Sequence, residues 1–166
     1  MDHLAAFKSR LLTSVSTRKQ FPVSPEALAL SECGFVINQL TSGHPDKQTL
    51  SSLSLDKNKE FPVLTIFKEL EETRLNFLIA HAIGHYVHGH LNTQDIFVET
   101  LDHFKHGVRC SFEQEANNFA LNFLLPKHEL DYAIFKKNIP LEKIHIEFNV
   151  SDVLTIIQLR SLGYIK

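Results

Sequence analysis

The sequence predicts an α+β fold in which helices dominate and only one small sheet is present. Most of the chain carries apolar residues at helical spacing, and several of these segments begin with residues that cap helices. Only two short runs, FPVLTIF and IFVET, have the β-branched and aromatic composition that is typical of strands. With 166 residues, 43% of them hydrophobic, the chain is long enough for one domain with a substantial core.

The N-terminal part is predicted to contain two helices and a polar connection. Residues 3–13 have an amphipathic helical pattern. A second helix is expected from about 25 to 40, with Ser24 as its N-cap and Pro25 in its first turn. Residues 41–60 are polar and rich in turn-forming residues, so we expect a loop or a weak hairpin there.

The rest of the chain is predicted to alternate short strands with helices. The strand at 61–67 precedes a helix that is expected to begin at about Thr73. This helix should end at Gly89, because glycine is the usual residue at a helix end. The connection at 90–110 contains the IFVET strand. Three further helices are expected at about 111–125, 141–148 and 151–163, each delimited by serine, proline or glycine.

Composition and charge argue against several classes of function. The formal net charge is −2 and no basic run is present, so nothing predicts direct binding to nucleic acid or to an anionic membrane. The N-terminal segment lacks the apolar stretch of a secretory signal. The sequence also contains no run of about 18 apolar residues, the length needed to span a bilayer. We therefore expect a cytoplasmic protein.

Two histidines lie four residues apart in the helix-patterned segment RLNFLIAHAIGHYVHGH. His81 and His85 would share one helix face, roughly 6 Å apart, so both imidazoles could bind one ion. Taken alone, such a pair is more often a pair of core histidines bonded to backbone or carboxylates. His88 is a poor third ligand, because about 10 Å of helix rise separates it from His81. A third ligand must come from another segment.

Carboxylates are available in the segment SFEQEANNFALNFLLP, about thirty residues downstream. Glu113 and Glu115 lie on opposite flanks of its apolar stripe, and each could reach a neighbouring helix. Periodicity does not choose between them. Both could also be first-turn acids that interact with the helix dipole.

The order of these motifs resembles the ImmA/IrrE family of zinc metallopeptidases. The resemblance is carried by Arg–x6–His–x–x–Gly–His–Tyr and then by Glu-Ala-Asn-x-Phe-Ala with Leu-Leu-Pro. In this chain the residues are Arg74, His81, Gly84, His85 and Tyr86, followed by EANNFALNFLLP. The C-terminal FNVSDVLTIIQLRSLGYI is also similar, so the resemblance covers about residues 61–166.

The resemblance implies a zincin-like core, in which a small twisted sheet packs against a ligand helix and a glutamate helix. Together with the length of the chain, it leads us to expect a single domain over 1–166. Within this domain, N-terminal helices and a polar loop would occupy 1–60, the metal-site core 61–126, and a helical C-terminal segment 127–166.

For the site, the resemblance implies that His81, His85 and Glu115 bind Zn²⁺, with Glu113 as the weaker candidate for the third ligand. Two histidines and one carboxylate leave the fourth tetrahedral position open to water, as catalytic zinc requires. Arg74, Tyr86 and His88 are expected at the rim of this site.

The family pattern places a glutamate where this chain has Ala82. In HExxH peptidases that glutamate is the general base that takes a proton from the attacking water. Since the ligands are intact, and alanine is the usual choice for inactivating such an enzyme, we interpret Ala82 as an engineered replacement. A natural pseudopeptidase that binds without cutting is the alternative.

Members of the family cleave, or are proposed to cleave, helix-turn-helix repressors or antitoxins encoded beside them in prophages and toxin–antitoxin-like operons. The resemblance therefore implies a DNA-binding regulatory protein as the substrate. A toxin that binds its antitoxin, with an activity unrelated to proteolysis, is a further hypothesis.

Overall fold

The computed structural model describes residues 24–40, 48–56, 61–100 and 110–166. Its helices are α1 (Pro25–Ser31), α2 (Glu72–His88), α3 (Ser111–Leu124), α4 (Lys127–Phe135), α5 (Ile144–Glu147) and α6 (Asp152–Ser161). Its strands are β1 (Val36–Gln39), β2 (Thr49–Asp56), β3 (Phe61–Ile66) and β4 (Ile96–Thr100). Short 3₁₀ turns lie at His90–Asn92 and Leu141–Lys143. The predicted helix at 3–13 lies outside the described residues.

The four strands form one mixed sheet in the order β1-β3-β2-β4. β1 is parallel to β3, whereas β2 is antiparallel to both of its neighbours. Buried and partly exposed residues alternate along β3, as expected of a sheet with one face against the core. The predicted α+β class, with a small sheet among helices, is confirmed.

Two segments differ from the prediction. The helix expected from 25 to 40 ends at Ser31, and after Gly34, with its φ of 65°, the chain forms β1 instead. β2 occupies part of 41–60, for which a loop or a weak hairpin was expected. Its serine-rich sequence is typical of turns. However, β2 is paired on both edges and buries Leu50 and Leu53. Pairing with neighbours therefore outweighed composition.

The predicted histidine helix is confirmed as α2. It begins at Glu72 and ends at His88, followed by Gly89 in the left-handed conformation with φ 74°. Its buried residues include a continuous run from Phe77 to His85. A helix buried all round must be packed on several sides, and α2 contacts the sheet, α1 and α3.

The C-terminal segment is helical, as predicted, but it contains one more helix than expected. Pro126 ends α3 as predicted, and it also precedes the first residue of the unpredicted α4. Ser151 caps α6 by accepting a hydrogen bond from the Leu154 amide at 3.3 Å. Gln158 of α6 donates to the Leu125 carbonyl at 3.1 Å, which fixes the C-terminal helix against the end of α3.

None of the helices in the described part of the chain has the length and apolar character needed to cross a membrane.

Candidate metal centre

The close approach of α2 and α3 depends on Gly84. A Cβ atom at this position would lie 2.9 Å from both the Cα and the carbonyl oxygen of Ala116. Only glycine therefore allows the two backbones to lie this close together. His81 and Glu113 each lie three residues before the contact point, about one turn earlier in their helices. The helix crossing thus places a carboxylate opposite the histidine pair.

Four side chains from three elements converge beside this crossing. His81 Nε2 and His85 Nε2 are 3.0 Å apart. The Glu113 carboxylate lies 3.1 Å from His81 Nε2 through one oxygen and 3.4 Å from His85 Nε2 through the other. Glu99 of β4 adds a second carboxylate, with Oε1 at 2.8 Å from His81 Nε2. One ligand atom from each residue lies within 4.8 Å of all the others.

The structure does not bring Glu115 to this group. Its Oε2 atom instead lies 3.1 Å from His90 Nε2 and 3.8 Å from His88 Nδ1, and the side chain is 52% exposed. Residues two apart on a helix are separated by about 200° around its axis, so only one of the two glutamates can face the histidine pair. In the structure that residue is Glu113, the weaker of the two candidates, whereas the predicted ligand Glu115 lies apart from His81 and His85.

The electrostatics of the cluster favour a cation at its centre. Burial alone lowers the pKa of His81, but hydrogen bonds to Glu113 and Glu99, together with their charges, raise that pKa from 6.5 to about 9. Burial lowers the pKa of His85 below its usual value, and the charge on His81 acts in the same direction. Burial would raise the pKa of Glu113, but its hydrogen bonds to both histidines hold that pKa well below its usual range. The cluster thus contains two carboxylates, and a proton on His81 offsets only part of their negative charge.

The residues fit a zinc ion in both chemistry and spacing. Imidazole nitrogens and carboxylate oxygens are usual zinc ligands, and bond lengths of about 2.0–2.2 Å give tetrahedral edges of about 3.3–3.6 Å. The two imidazole nitrogens are 3.0 Å apart, and each also lies near one of the two Glu113 oxygens, at 3.1 Å for His81 and 3.4 Å for His85. The three side chains are at most 13% exposed, so the site is largely shielded from solvent. The cluster could therefore hold a metal with little rearrangement.

The predicted rim residues occupy different surroundings. Arg74 is half-buried in the first turn of α2. Tyr86 is turned to Phe35, with ring centroids 5.6 Å apart, and burial raises the pKa of its hydroxyl. His88 is on the Glu115 side, where its ring stacks on His90. Ala82 is buried within α2, directly after the first histidine of the pair.

Glu99, near the centre, was not predicted, and His90 was expected only near the helix end or at the rim of a site. The sequence pattern could have indicated Glu99, because it shares the inward face of β4 with Phe97. A glutamate buried on an apolar strand face must be paired with another polar group. His90 had no comparable signal, because its place depends on the 3₁₀ turn that follows Gly89.

Comparison with known proteins is consistent with this geometry. Residues 39–159 match the family model Peptidase_M78, described as the IrrE N-terminal-like domain. The match begins in β1, so it also includes β2, which precedes the motifs of the sequence resemblance. No curated protein matches the chain.

Proposed function

Because the chain belongs to the IrrE N-terminal-like family of peptidases, which matches residues 39–159, we propose that its scaffold is that of a zinc-dependent endopeptidase. The present chain lacks the general base of that enzyme at position 82. Its substrate is proposed to be a helix-turn-helix repressor or antitoxin in the cytoplasm.

The convergence of His81, His85 and Glu113 is the observation that carries this proposal. These residues would hold the ion through two imidazole nitrogens and one carboxylate, the donor set of many catalytic zinc sites. When bound there, zinc would lower the pKa of a water molecule and polarise the carbonyl group of the peptide bond. The protein side chains supply the orientation and the shielding from solvent.

The residue at position 82 determines how well such a site can transfer protons. Ala82 follows the first histidine directly, where HExxH peptidases have the glutamate that accepts the proton and passes it to the leaving amine. Alanine can do neither, and the missing base is expected to reduce the rate by about 10²–10⁴-fold. Metal binding does not require this residue. We therefore propose that Ala82 is an engineered replacement that preserves the metal site and suppresses cleavage.

The proposed substrate class rests on the resemblance to the family and is compatible with the composition. A protein with net charge −2 has no electrostatic reason to bind DNA itself, so its effect on transcription would pass through a protein partner. Cleavage of that partner would relieve repression.

The direct test is the substitution Ala82→Glu. We expect the zinc-loaded variant to cleave the helix-turn-helix regulator encoded beside it at least 100-fold faster than the present chain, as measured by mass spectrometry of the products. Ala82→Gln is the matched control, because it has nearly the same size and cannot act as a base. A folded, zinc-loaded Ala82→Glu variant that leaves neighbouring regulators intact would contradict the peptidase assignment.

Glu99 favours a second function, a natural zinc-binding pseudopeptidase or toxin–antitoxin component that holds a partner without cutting it. With Glu99 as a fourth ligand the coordination shell would be complete, as in structural zinc sites. The codon at position 82 of the natural gene separates the two functions, since a glutamate codon supports the peptidase and an alanine codon the binding protein. Growth arrest that persists after His81 and His85 are both replaced would support a toxin unrelated to proteolysis.

A further inference from the structure

His90 connects the candidate metal centre to the half-exposed Glu115. Its Nδ1 atom lies 3.0 Å from His85 Nδ1, on the side of the His85 ring that faces away from the cluster. Its Nε2 atom lies 3.1 Å from Glu115 Oε2. The ring is only 3% exposed and stacks on Phe112, with centroids 4.6 Å apart, so its orientation is fixed by packing.

The direction of both hydrogen bonds follows from the number of protons on a neutral imidazole. A histidine that binds a metal through Nε2 carries its one proton on Nδ1. His85 must then donate from Nδ1, and His90 must accept at Nδ1. A neutral His90 that accepts at Nδ1 has its proton on Nε2, from which it donates to Glu115.

We propose that His85, His90 and Glu115 form a hydrogen-bonded relay that fixes the tautomer and ring orientation of His85 as a metal ligand. This inference rests on the metal site of the proposed function, but it does not depend on catalysis. His90 and Glu115 are positioning residues in this relay, since neither contacts the position of the ion. Glu115 thus has a role at the site even though it is not the third ligand.

The relay also accounts for the neighbouring group of His88, His90 and Glu115. Their ligand atoms lie within 4.8 Å of one another, as in a second metal site. In the relay, however, His90 Nε2 carries a proton and has no lone pair for a metal. The 3.8 Å separation of His88 Nδ1 from Glu115 Oε2 is also longer than a hydrogen bond. The protein is therefore expected to bind one ion per chain.

Removing such partners of a metal-bound histidine typically weakens metal affinity by about 10–100-fold. We expect a loss of this size for His90→Phe, which keeps an aromatic ring against Phe112 but makes no hydrogen bonds. His90→Gln can both accept and donate, so it is expected to recover most of the affinity. Glu115→Ala should weaken binding as well, whereas Asn118→Ala, an exposed change on the same helix, should not.

The decisive experiment is nitrogen-15 NMR of the imidazoles in the zinc-loaded chain, with zinc stoichiometry and affinity measured by competition with a chelator. The relay predicts one zinc per chain, His85 protonated on Nδ1 and His90 protonated on Nε2. Two zinc ions per chain, a proton on His90 Nδ1, or normal affinity in a folded His90→Phe variant would overturn it. If His90→Phe does not fold, the protonation sites of His85 and His90 measured by NMR in the unmodified chain still test the relay.

The two proposals can fail separately. A chain that binds zinc with these tautomers, but whose Ala82→Glu variant cleaves nothing, would retain the relay and lose the peptidase function. A chain that binds no zinc at all would lose both.

Discussion

At the scale of single residues, the site is determined by which of two nearby glutamates faces α2. The sequence identified Glu113 and Glu115 as alternatives, and helical periodicity could not choose between them. The choice depends on the Gly84–Ala116 contact, which sets the rotation of α3 against α2. No property of α3 alone contains that information. The histidine pair needed no such contact, because its spacing on one helix already defines it.

The raised pKa of His81 predicts that zinc affinity depends on pH. The nearby carboxylates hold that pKa at about 9 in the metal-free protein, so below pH 9 zinc must displace a proton from Nε2. The apparent affinity should fall about tenfold for each pH unit below 9, roughly 100-fold between pH 9 and pH 7. Calorimetric titration across pH 6.5 to 9 would measure this slope.

Glu99→Gln is the matched variant for that measurement. Glu99 is one of the two groups that raise the pKa of His81, so its neutralisation should move the pH dependence to lower pH. An affinity independent of pH between 7 and 9 in the unmodified chain would contradict the proposed protonation of His81.

At the scale of elements, α2 was the most predictable part of the fold and the strands were the least. Apolar periodicity and Gly89 predicted both ends of α2 to within one residue. In contrast, β1 was missed because it has only four residues, and β2 was expected only as a loop or a weak hairpin because it alternates serine with leucine. Both gain their stability from pairing with β3, which lies outside their own sequence. Helix α4 was missed because Pro126 was considered only as the end of α3.

The close crossing of α2 and α3 predicts that Gly84→Ala is destabilising, although alanine is the better helix former. The new methyl group would meet the backbone of Ala116 at 2.9 Å, and backbone cannot move aside as a flexible side chain can. Overpacking of this kind typically costs about 1–3 kcal/mol in the free energy of unfolding. Urea denaturation of the metal-free variant would measure the loss.

The same substitution should weaken zinc binding, because separating the helices moves Glu113 away from His81. Removing the Ala116 methyl group should not restore either property, since the clash involves the Cα and carbonyl oxygen. Gly84→Ala/Ala116→Gly is therefore the control. A gain of about 1 kcal/mol in stability, as expected for an unconstrained helical glycine, would show that the crossing is not tight.

At the scale of the whole molecule, the site joins parts of the fold that are distant in sequence. His81 and His85 belong to α2, Glu113 to α3, and Glu99 to the edge strand β4 of the described sheet. The fold class and the order of the motifs could be predicted, since each depends on local patterns. The meeting of these three elements could not, because it depends on the packing of the sheet and both helices around one core.

This arrangement predicts that zinc stabilises α2 and α3 together, because these two helices supply the three proposed ligands. At 100 times the dissociation constant, zinc should add about 2.7 kcal/mol to the free energy of unfolding. For a chain of this length that raises Tm by about 5–10 °C. Hydrogen exchange should slow in both helices of the unmodified chain. His81→Ala should abolish both effects. Glu99→Gln should retain the protection of both helices, because Glu99 is not one of the three ligands of the proposed peptidase site. Zinc-dependent protection that extends to β4 and is lost in Glu99→Gln would instead make Glu99 a fourth ligand and support the second function.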